Sequence, residues 1–381
     1  MTKKEKFKIG GLCSGVGGIE LGFRQAGFDI AWANDMDEKA MITYQRFIGK
    51  NHYLANKAMT INEALENHID KIKRVDVLAA GFPCQAFSVA GKRRGFEDAR
   101  GTVIWDIINF AKVLEAKSEL PKVIFLENVK NFKTHDTGNT YETIERKLYD
   151  MNYSVYTKVL NTCDYSEIPQ NRERTYMVCF KNEKTWEDYK LHDKNDNQLN
   201  SEVKETLKVK CPITYTFHRN FPGLIDKKEL KAKNEILNIK KSPGKIYTYW
   251  KKDKTDYVSM LNDEYAQMGK NTEGSEDTFY QIRRVYARAN KSNLCPTLTA
   301  NMGTGGHNVP LIPIVKRNGS INWRKLTPKE CFALQGYPNF KRPNYKDVSN
   351  GQLYKQAGNS VSVPVIRRLA ESIKKALDKD L

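Results

Sequence analysis

The sequence predicts an α/β fold: a doubly wound, mostly parallel sheet joined to a smaller, mainly β domain. Three observations carry this. Apolar runs of strand length alternate with amphipathic helical segments up to about residue 180, the grammar of a sheet covered by helices on both faces. A glycine-rich turn follows the first run, and an acidic residue, Asp35, closes the second, 20 residues after Gly15. After residue 182 the alternation stops. A stretch rich in Lys, Asp, Asn and Glu gives way to short aromatic-bearing pieces such as Tyr247-Thr248-Tyr249-Trp250 and Gln281-Ile282-Arg283-Arg284-Val285-Tyr286.

Phe7 to Leu12 reads as the first strand. Cys13-Ser14-Gly15-Val16-Gly17-Gly18 then turns into a helix with Ile19, Phe23 and Ala26 at helical spacing. Glycines there let the backbone approach a ligand, and the helix start favours a carboxylate or phosphate. Phe28 to Ala33 is the second strand, followed by Asn34-Asp35 and a helix over Glu38 to Phe47. A polar connection leads to a third strand, Val75 to Ala80, which runs into Gly81-Phe82-Pro83-Cys84-Gln85. Pro83 fixes its own φ and pushes Phe82 to extended geometry, so Cys84 stands on a stiff turn at a strand exit. A free cysteine is more often a small buried hydrophobe. The loop from Ser88 to Phe96 carries two glycines and three cations, the composition of a lid that lies against phosphates.

Ile104, Ile107, Ile108, Ala111 and Leu114 mark the next helix, and Lys122 to Leu126 a strand that delivers Glu127-Asn128-Val129 at its exit. A carboxylate beside a core is costly unless something binds it. Tyr141, Ile144 and Leu148 mark a helix, with strands over Ser154 to Leu160 and Thr175 to Phe180. Between them, in Gln170-Asn171-Arg172-Glu173-Arg174, two arginines alternate along an extended segment and share one side. They read equally as a solvated edge or as fixed donors for an anion or a base carbonyl. Leu326-Thr327-Pro328-Lys329-Glu330 starts a helix that Gln335-Gly336-Tyr337-Pro338 ends. After Gln356-Ala357-Gly358-Asn359-Ser360-Val361 comes a last helix with Ile366, Leu369, Ala370, Ile373 and Leu377 on one face, which needs an apolar partner in the first domain. The expected division is residues 1–182, 183–345 and 346–381, the last segment returning to the first domain.

The 381 residues include 63 Lys and Arg against 45 Asp and Glu, a net charge of +18, which points to a polyanionic partner. Cys13, Cys84, Cys163, Cys179, Cys211, Cys295 and Cys331 are odd in number and scattered, with no Cys-x-x-Cys pair. That argues against a disulfide framework or structural zinc and for a reducing compartment. Neither a signal peptide nor an apolar run of membrane-spanning length is visible.

Taken in order, Gly15-Val16-Gly17-Gly18, Gly81-Phe82-Pro83-Cys84-Gln85, Asp98-Ala99-Arg100-Gly101, Glu127-Asn128-Val129, Gln170-Asn171-Arg172-Glu173-Arg174 and Gly358-Asn359-Ser360-Val361 resemble the cytosine-C5 DNA methyltransferase family, and within it the bacterial modification enzymes of the HhaI methyltransferase type. The resemblance covers about residues 7 to 180 and 295 to 375; the middle is where this family carries its target recognition domain. It implies a Rossmann-like fold and methyl transfer from S-adenosyl-L-methionine to C5 of a flipped-out cytosine in a short duplex DNA sequence, as part of a restriction-modification system. Cys84 then corresponds to the thiolate that adds at C6, Glu127 to the group that stabilises N3, and Arg174 to the residue on O2, with Arg172 in support. Asn128 would steady the loop bearing Cys84, and Gln85 stands beside it. For the cofactor, the resemblance places Gly15, Gly17 and Gly18 near the methionine part and Asp35 on the ribose hydroxyls. Cys13, Val16, Met36, Met59, Pro83, Val103, Asn359, Ser360 and Val361 complete the set, with no metal.

Three positions depart from the family pattern. Cys13 stands where most members have phenylalanine, Ala58 where an aspartate is usual, and Ser166-Glu167 where a single glycine is usual. The implied partner is double-stranded DNA, with a companion restriction endonuclease that forms no stable complex, no membrane association, and a monomer in the bacterial cytoplasm at the nucleoid. Two alternatives stand beside this reading: a catalytically weak, sequence-specific DNA-binding protein of the same fold, and a transfer-RNA cytosine-C5 methyltransferase. A thiol hydrolase is a weaker third, since no histidine is evidently paired with Cys84.

Overall fold

The computed structural model describes residues 5–82, 103–166, 168–181, 236–237, 257–271, 278–283, 286–290, 294–303, 309–315, 317–337, 343–344 and 346–379. These fall into two compact units, one within 1–161, 173–208 and 363–381 and the other within 162–172 and 209–362.

In the first unit the chain runs through β1 (Lys8–Leu12), α1 (Gly18–Gln25), β2 (Asp29–Asn34), α2 (Glu38–Phe47), α3 (Ile61–His68), β3 (Val77–Gly81), α4 (Val103–Ala116), β4 (Val123–Val129), α5 (Asn139–Asp150) and β5 (Ser154–Asn161). It gives α6 (Thr162–Tyr165) and β6 (Gln170–Asn171) to the second unit, then returns as β7 (Glu173–Phe180). Among the described residues the sheet order is β2-β1-β3-β4-β7-β5. Pairings among β2, β1, β3 and β4 are parallel, and β7 runs antiparallel to both β4 and β5. The expected mostly parallel sheet is therefore present, with one reversed strand.

The pleat divides the core. Leu78, Ala80, Ile124 and Leu126 pack with Ile104, Ile107, Ile108 and Ala111 of α4 and with Ile144 and Leu148 of α5. On the opposite face Phe125 meets Phe23 of α1 edge-on at 5.4 Å. The terminal helix, Val363–Lys379, covers α1 from outside: a Cβ on Gly22 would lie 2.5 Å from Ile366. The apolar stripe read in that helix thus finds the partner expected of it. Because α1 lies between sheet and helix, every residue from Gly18 to Phe23 is buried, Glu20 included.

The connection after α2 departs from expectation, since α3 lies within it. The Thr60 hydroxyl accepts from Glu63 N while the Glu63 carboxylate accepts from Thr60 N, a reciprocal cap. Ile61 and Ala64 are the buried residues of this helix, which is why its apolar period is faint.

In the second unit the described strands β8 (Ile236–Leu237), β9 (Tyr280–Ile282), β10 (Ala287–Ala289), β12 (Leu311–Val315) and β13 (Ile321–Lys325) make an antiparallel sheet in the order β10-β9-β12-β13-β8. β11 (Cys295–Pro296) pairs with β6 instead. A helix, α7 (Tyr257–Asn271), joins the expected strands and sets Leu261 and Met268 against Tyr280, Leu311 and Trp323. The predicted proline-started helix is α8 (Pro328–Leu334), capped by Thr327 and Glu330, and α9 (Asn350–Asn359) follows. Tyr247 to Trp250, Arg284, Val285 and the polar stretch 182–210 lie outside the described residues. Among the described residues, no helix is long and apolar enough to cross a membrane.

Candidate active site

In the first unit, the carboxyl ends of β1, β3 and β4 lie side by side: Leu12 pairs with Ala80, and Gly81 with Glu127. From β1 the chain goes outward to β2, whereas β3 leads to β4 on the other side. Strand order therefore reverses between β1 and β3, where open α/β sheets form a ligand crevice.

The turn after β1 is fixed by its backbone. Ser14 N donates to Asn34 O at 3.0 Å and Gly17 N to Ser14 O at 2.8 Å. Gly17 caps α1 in the left-handed region at φ 82, and a Cβ there would lie 2.6 Å from Ile48. A Cβ on Gly15 would meet nothing within 4 Å, so the turn has room beside it at that residue. Asp35, expected on a ribose, accepts from Gly15 N at 2.7 Å and from Asp37 N at 2.8 Å, so it also holds the turn. Met59 is buried beside it: Asn34 Nδ2 donates to Met59 O at 3.0 Å and Met59 N to Asp35 O at 2.9 Å. Met36 is 71% exposed on the connection into α2, Val103 is half-buried at the start of α4, and Val16 is buried in the turn. Cys13 has a left-handed backbone, φ 52, and burial together with the nearby Asp35 pushes its thiol well above the ordinary range, which makes it a neutral packing group.

Pairing with β7 carries β4 past its expected end at Leu126. Glu127 stands opposite Tyr176, Asn128 opposite Thr175 and Val129 opposite Arg174. The strand thus brings Glu127 and Arg174 together: Arg174 Nε lies 3.4 Å from Glu127 Oε1, with the side chains 13% and 9% exposed. Arg174 Nη1 also donates to Glu173 O at 2.7 Å. Gly81 lies beside the carboxylate: a Cβ on it would be in van der Waals contact with Glu127 Oε2, at 3.4 Å. Asn128 Nδ2 donates to Phe82 O at 3.1 Å and so anchors the chain immediately before Pro83. Pro83, Cys84, Gln85, the 86–100 loop and Glu167 lie outside the described residues.

The two arginines do not act as one pair of donors. β6 ends at Asn171 and β7 begins at Glu173, and Arg172 belongs to the second unit. There its guanidinium, buried to 2% exposure, donates to the carbonyls of Leu298 and Gly358 at 3.0 Å each and to that of Ser360. Arg172 therefore shapes the backbone on either side of Asn359. Around it Gln335 Nε2 donates to Ala357 O at 2.7 Å, Gln170 Nε2 donates to Leu334 O at 2.7 Å, and the hydroxyls of Tyr337 and Ser360 are 2.6 Å apart. Gly358 is matched to this packing, because a Cβ there would lie 2.2 Å from the Thr299 carbonyl carbon. Backbone cannot yield as a flexible side chain does, so Gly358→Ala is expected to destabilise the second unit by about 3 kcal/mol or more. A denaturant titration checks this, and an unchanged midpoint would refute the close-packing argument.

Sequence reasoning passed over Glu20. It lies in the first turn of α1, where an acid is ordinarily solvated, yet it is 1% exposed. Its position between sheet and terminal helix, the cause of that burial, has no signature in local spacing. Among the described residues no group of three His, Cys, Asp or Glu is arranged to hold a metal ion.

A family model described as C-5 cytosine-specific DNA methylase matches residues 7–375. The type II methyltransferase M.Bsp6I of Bacillus sp. (strain RFL6) is 42% identical over 373 residues, covering 97% of this chain and 99% of that protein. The type II methyltransferase M.HhaI of Haemophilus parahaemolyticus is 33% identical over 374 residues, covering 96% and 94%. Among solved structures, the S. pombe Dnmt2 methyltransferase superposes with a TM-score of 0.57 at 17% identity, covering 98% of this chain and all of that one, a likeness of fold.

Proposed function

The chain belongs to the C-5 cytosine-specific DNA methylase family and is a DNA (cytosine-5-)-methyltransferase, and from that premise we propose how its residues divide the work. S-adenosyl-L-methionine supplies the methyl group. The acceptor is C5 of a cytosine flipped out of a specific short duplex sequence, and the setting is restriction-modification in the bacterial cytoplasm. A companion endonuclease would share the recognition sequence without a stable complex, and the enzyme works as a monomer.

Carbon 5 of cytosine is a poor nucleophile, so Cys84 first adds as a thiolate to C6. Negative charge then develops on N3 and O2, where Glu127 shares a proton with N3 and Arg174 donates to O2. C5 of the resulting enamine takes the methyl as its bond to the sulfonium sulfur breaks and S-adenosylhomocysteine departs as a thioether. A base then removes the C5 proton, and β-elimination breaks the C6–S bond and returns the thiolate. Asn128 positions the Cys84 turn through Phe82 O, with Gln85 beside the nucleophile, and Arg172 supports the site by fixing the backbone around Asn359. The cofactor's nucleoside and methionine parts fall to the turn with room at Gly15, with Val16, Gly17 and Gly18, and to Asp35, Met36, Met59, Cys13, Pro83 and Val103. Asn359, Ser360 and Val361 act from the segment that precedes the terminal helix. Target recognition falls to the region within 183–345, between the catalytic segment 1–182 and the return at 346–381.

The observation that carries this reading is the Glu127–Arg174 pair on adjacent strands, with Glu127 paired to Gly81 at the carboxyl end of β3, three residues before Cys84 in the sequence. Transfer of labelled methyl to duplex DNA and to transfer RNA tests it. Label at cytosine C5 in DNA, at one recurrent sequence, is expected. Label in transfer RNA alone would overturn the substrate, and no transfer with tight DNA binding would leave a binding protein.

A further inference from the structure

Three buried polar groups ring the turn after β1: Glu20 Oε2 and Tyr44 Oη have no hydrogen-bond partner among the described residues, and the Ser14 hydroxyl lies against the Glu20 carboxylate, to which it donates. Glu20 is in the first turn of α1, Ser14 is in the glycine-rich turn itself, and the Tyr44 ring would lie 2.8 Å from a Cβ on Gly17. Unsatisfied groups cost free energy when buried, and a carboxylate costs most. The sequence nevertheless makes room for this one. Any side chain at Gly11 of β1 would place its Cβ 1.9 Å from Glu20 Oε1 and 2.7 Å from Ser14 Oγ.

No cation among the described residues compensates Glu20. The groups that act on it electrostatically are Asp35, Cys13, Tyr44 and Tyr53, all acidic or neutral. Burial, with Asp35 adding to it, pushes the Glu20 carboxyl up to about 7. Such a carboxyl is poised to ionise when a positive charge arrives. An anion would be repelled, and an apolar group would leave Glu20 Oε2 and the Tyr44 hydroxyl unanswered.

We propose that Glu20, with the Ser14 and Tyr44 hydroxyls, binds the cationic methionine end of S-adenosyl-L-methionine. This rests on the cofactor reading above and adds to it a charged residue outside the glycine-rich turn. Gly11 is then the matched partner of Glu20, kept small so that the carboxylate can lie at the end of β1.

Binding rather than turnover provides the test. S-adenosylmethionine, S-adenosylhomocysteine and 5′-methylthioadenosine are titrated calorimetrically into native protein and Glu20→Gln, which keeps the shape of the side chain. S-adenosylmethionine is expected to bind Glu20→Gln more weakly by roughly 30-fold or more, the loss typical of a buried charge pair. Methylthioadenosine, which lacks the amino acid and the sulfonium, should bind both proteins alike. An equal loss for S-adenosylhomocysteine assigns the carboxylate to the α-ammonium, and a smaller one to the sulfonium. Unchanged S-adenosylmethionine binding, or an equal loss with methylthioadenosine, would overturn the inference and make Glu20 a structural group. Failure of the native protein to bind S-adenosylmethionine would instead refute the cofactor reading itself.

Discussion

Serine in place of Cys84 is expected to lower methyl transfer to duplex DNA by on the order of 10⁴-fold or more, without loss of cofactor binding. The two side chains are close in size, so the difference is one of nucleophilicity. A thiol supplies a few per cent of a strongly nucleophilic anion at neutral pH, whereas a serine hydroxyl needs a base beside it. No histidine pairs evidently with this position in the sequence. The proposed attack also depends on presentation: Asn128 holds Phe82 O at 3.1 Å, and only Pro83 stands between Phe82 and Cys84 in the sequence. A duplex carrying 5-fluorocytosine gives a second measure. Fluorine cannot leave C5 as a proton does, so addition and methylation should trap native enzyme as a denaturation-resistant adduct. Cys84→Ser should form none. A mutant that kept a tenth of native transfer, or still formed the adduct, would exclude Cys84 as the nucleophile.

Much of the first unit was legible because buried parallel strands are written as short apolar runs and amphipathic helices as stripes. Glu38–Phe47 matched its expected helix, and the strands fell within a few residues of their expected limits. What local pattern does not encode is which strand lies beside which. β7 enters antiparallel between β4 and β5, and that pairing extends β4 through Val129 and sets Glu127 beside Arg174. Alternation of Arg172 and Arg174 suggested a shared side, whereas the chain changes unit between them and commits Arg172 to three carbonyls. The helix α3 was missed although Thr60 and Glu63 signal it, because two buried residues make little periodicity. Glu20 was missed for the opposite reason. Its helix is covered on both sides, so even its acid is buried, and the cover comes from a segment more than 340 residues later.

Replacing Glu127 with glutamine is expected to slow the chemical step about 10²- to 10⁴-fold with little change in the affinity for DNA. Glutamine keeps the volume and can still donate a hydrogen bond, but it cannot deliver a proton to N3 as charge builds on the ring. The pair geometry sharpens the expectation. Glu127 and Arg174 are both largely shielded from water and 3.4 Å apart, so each fixes the other where the base would meet them. Arg174→Ala should therefore act twice. It removes the proposed donor to O2, and it leaves a carboxylate without its guanidinium in a site of low exposure, a loss on the order of 3–5 kcal/mol of stability for a buried pair. Glu127→Gln removes the charge along with the proton and should cost less stability than Arg174→Ala. Single-turnover transfer at saturating DNA, beside thermal melts of both variants and the double variant, separates the two effects. If the residues act as a unit on the ring, the double variant will be scarcely slower than the worse single one. Rates that multiply would mean independent roles, and a Glu127→Gln enzyme within about tenfold of native would remove Glu127 from the proton transfer altogether.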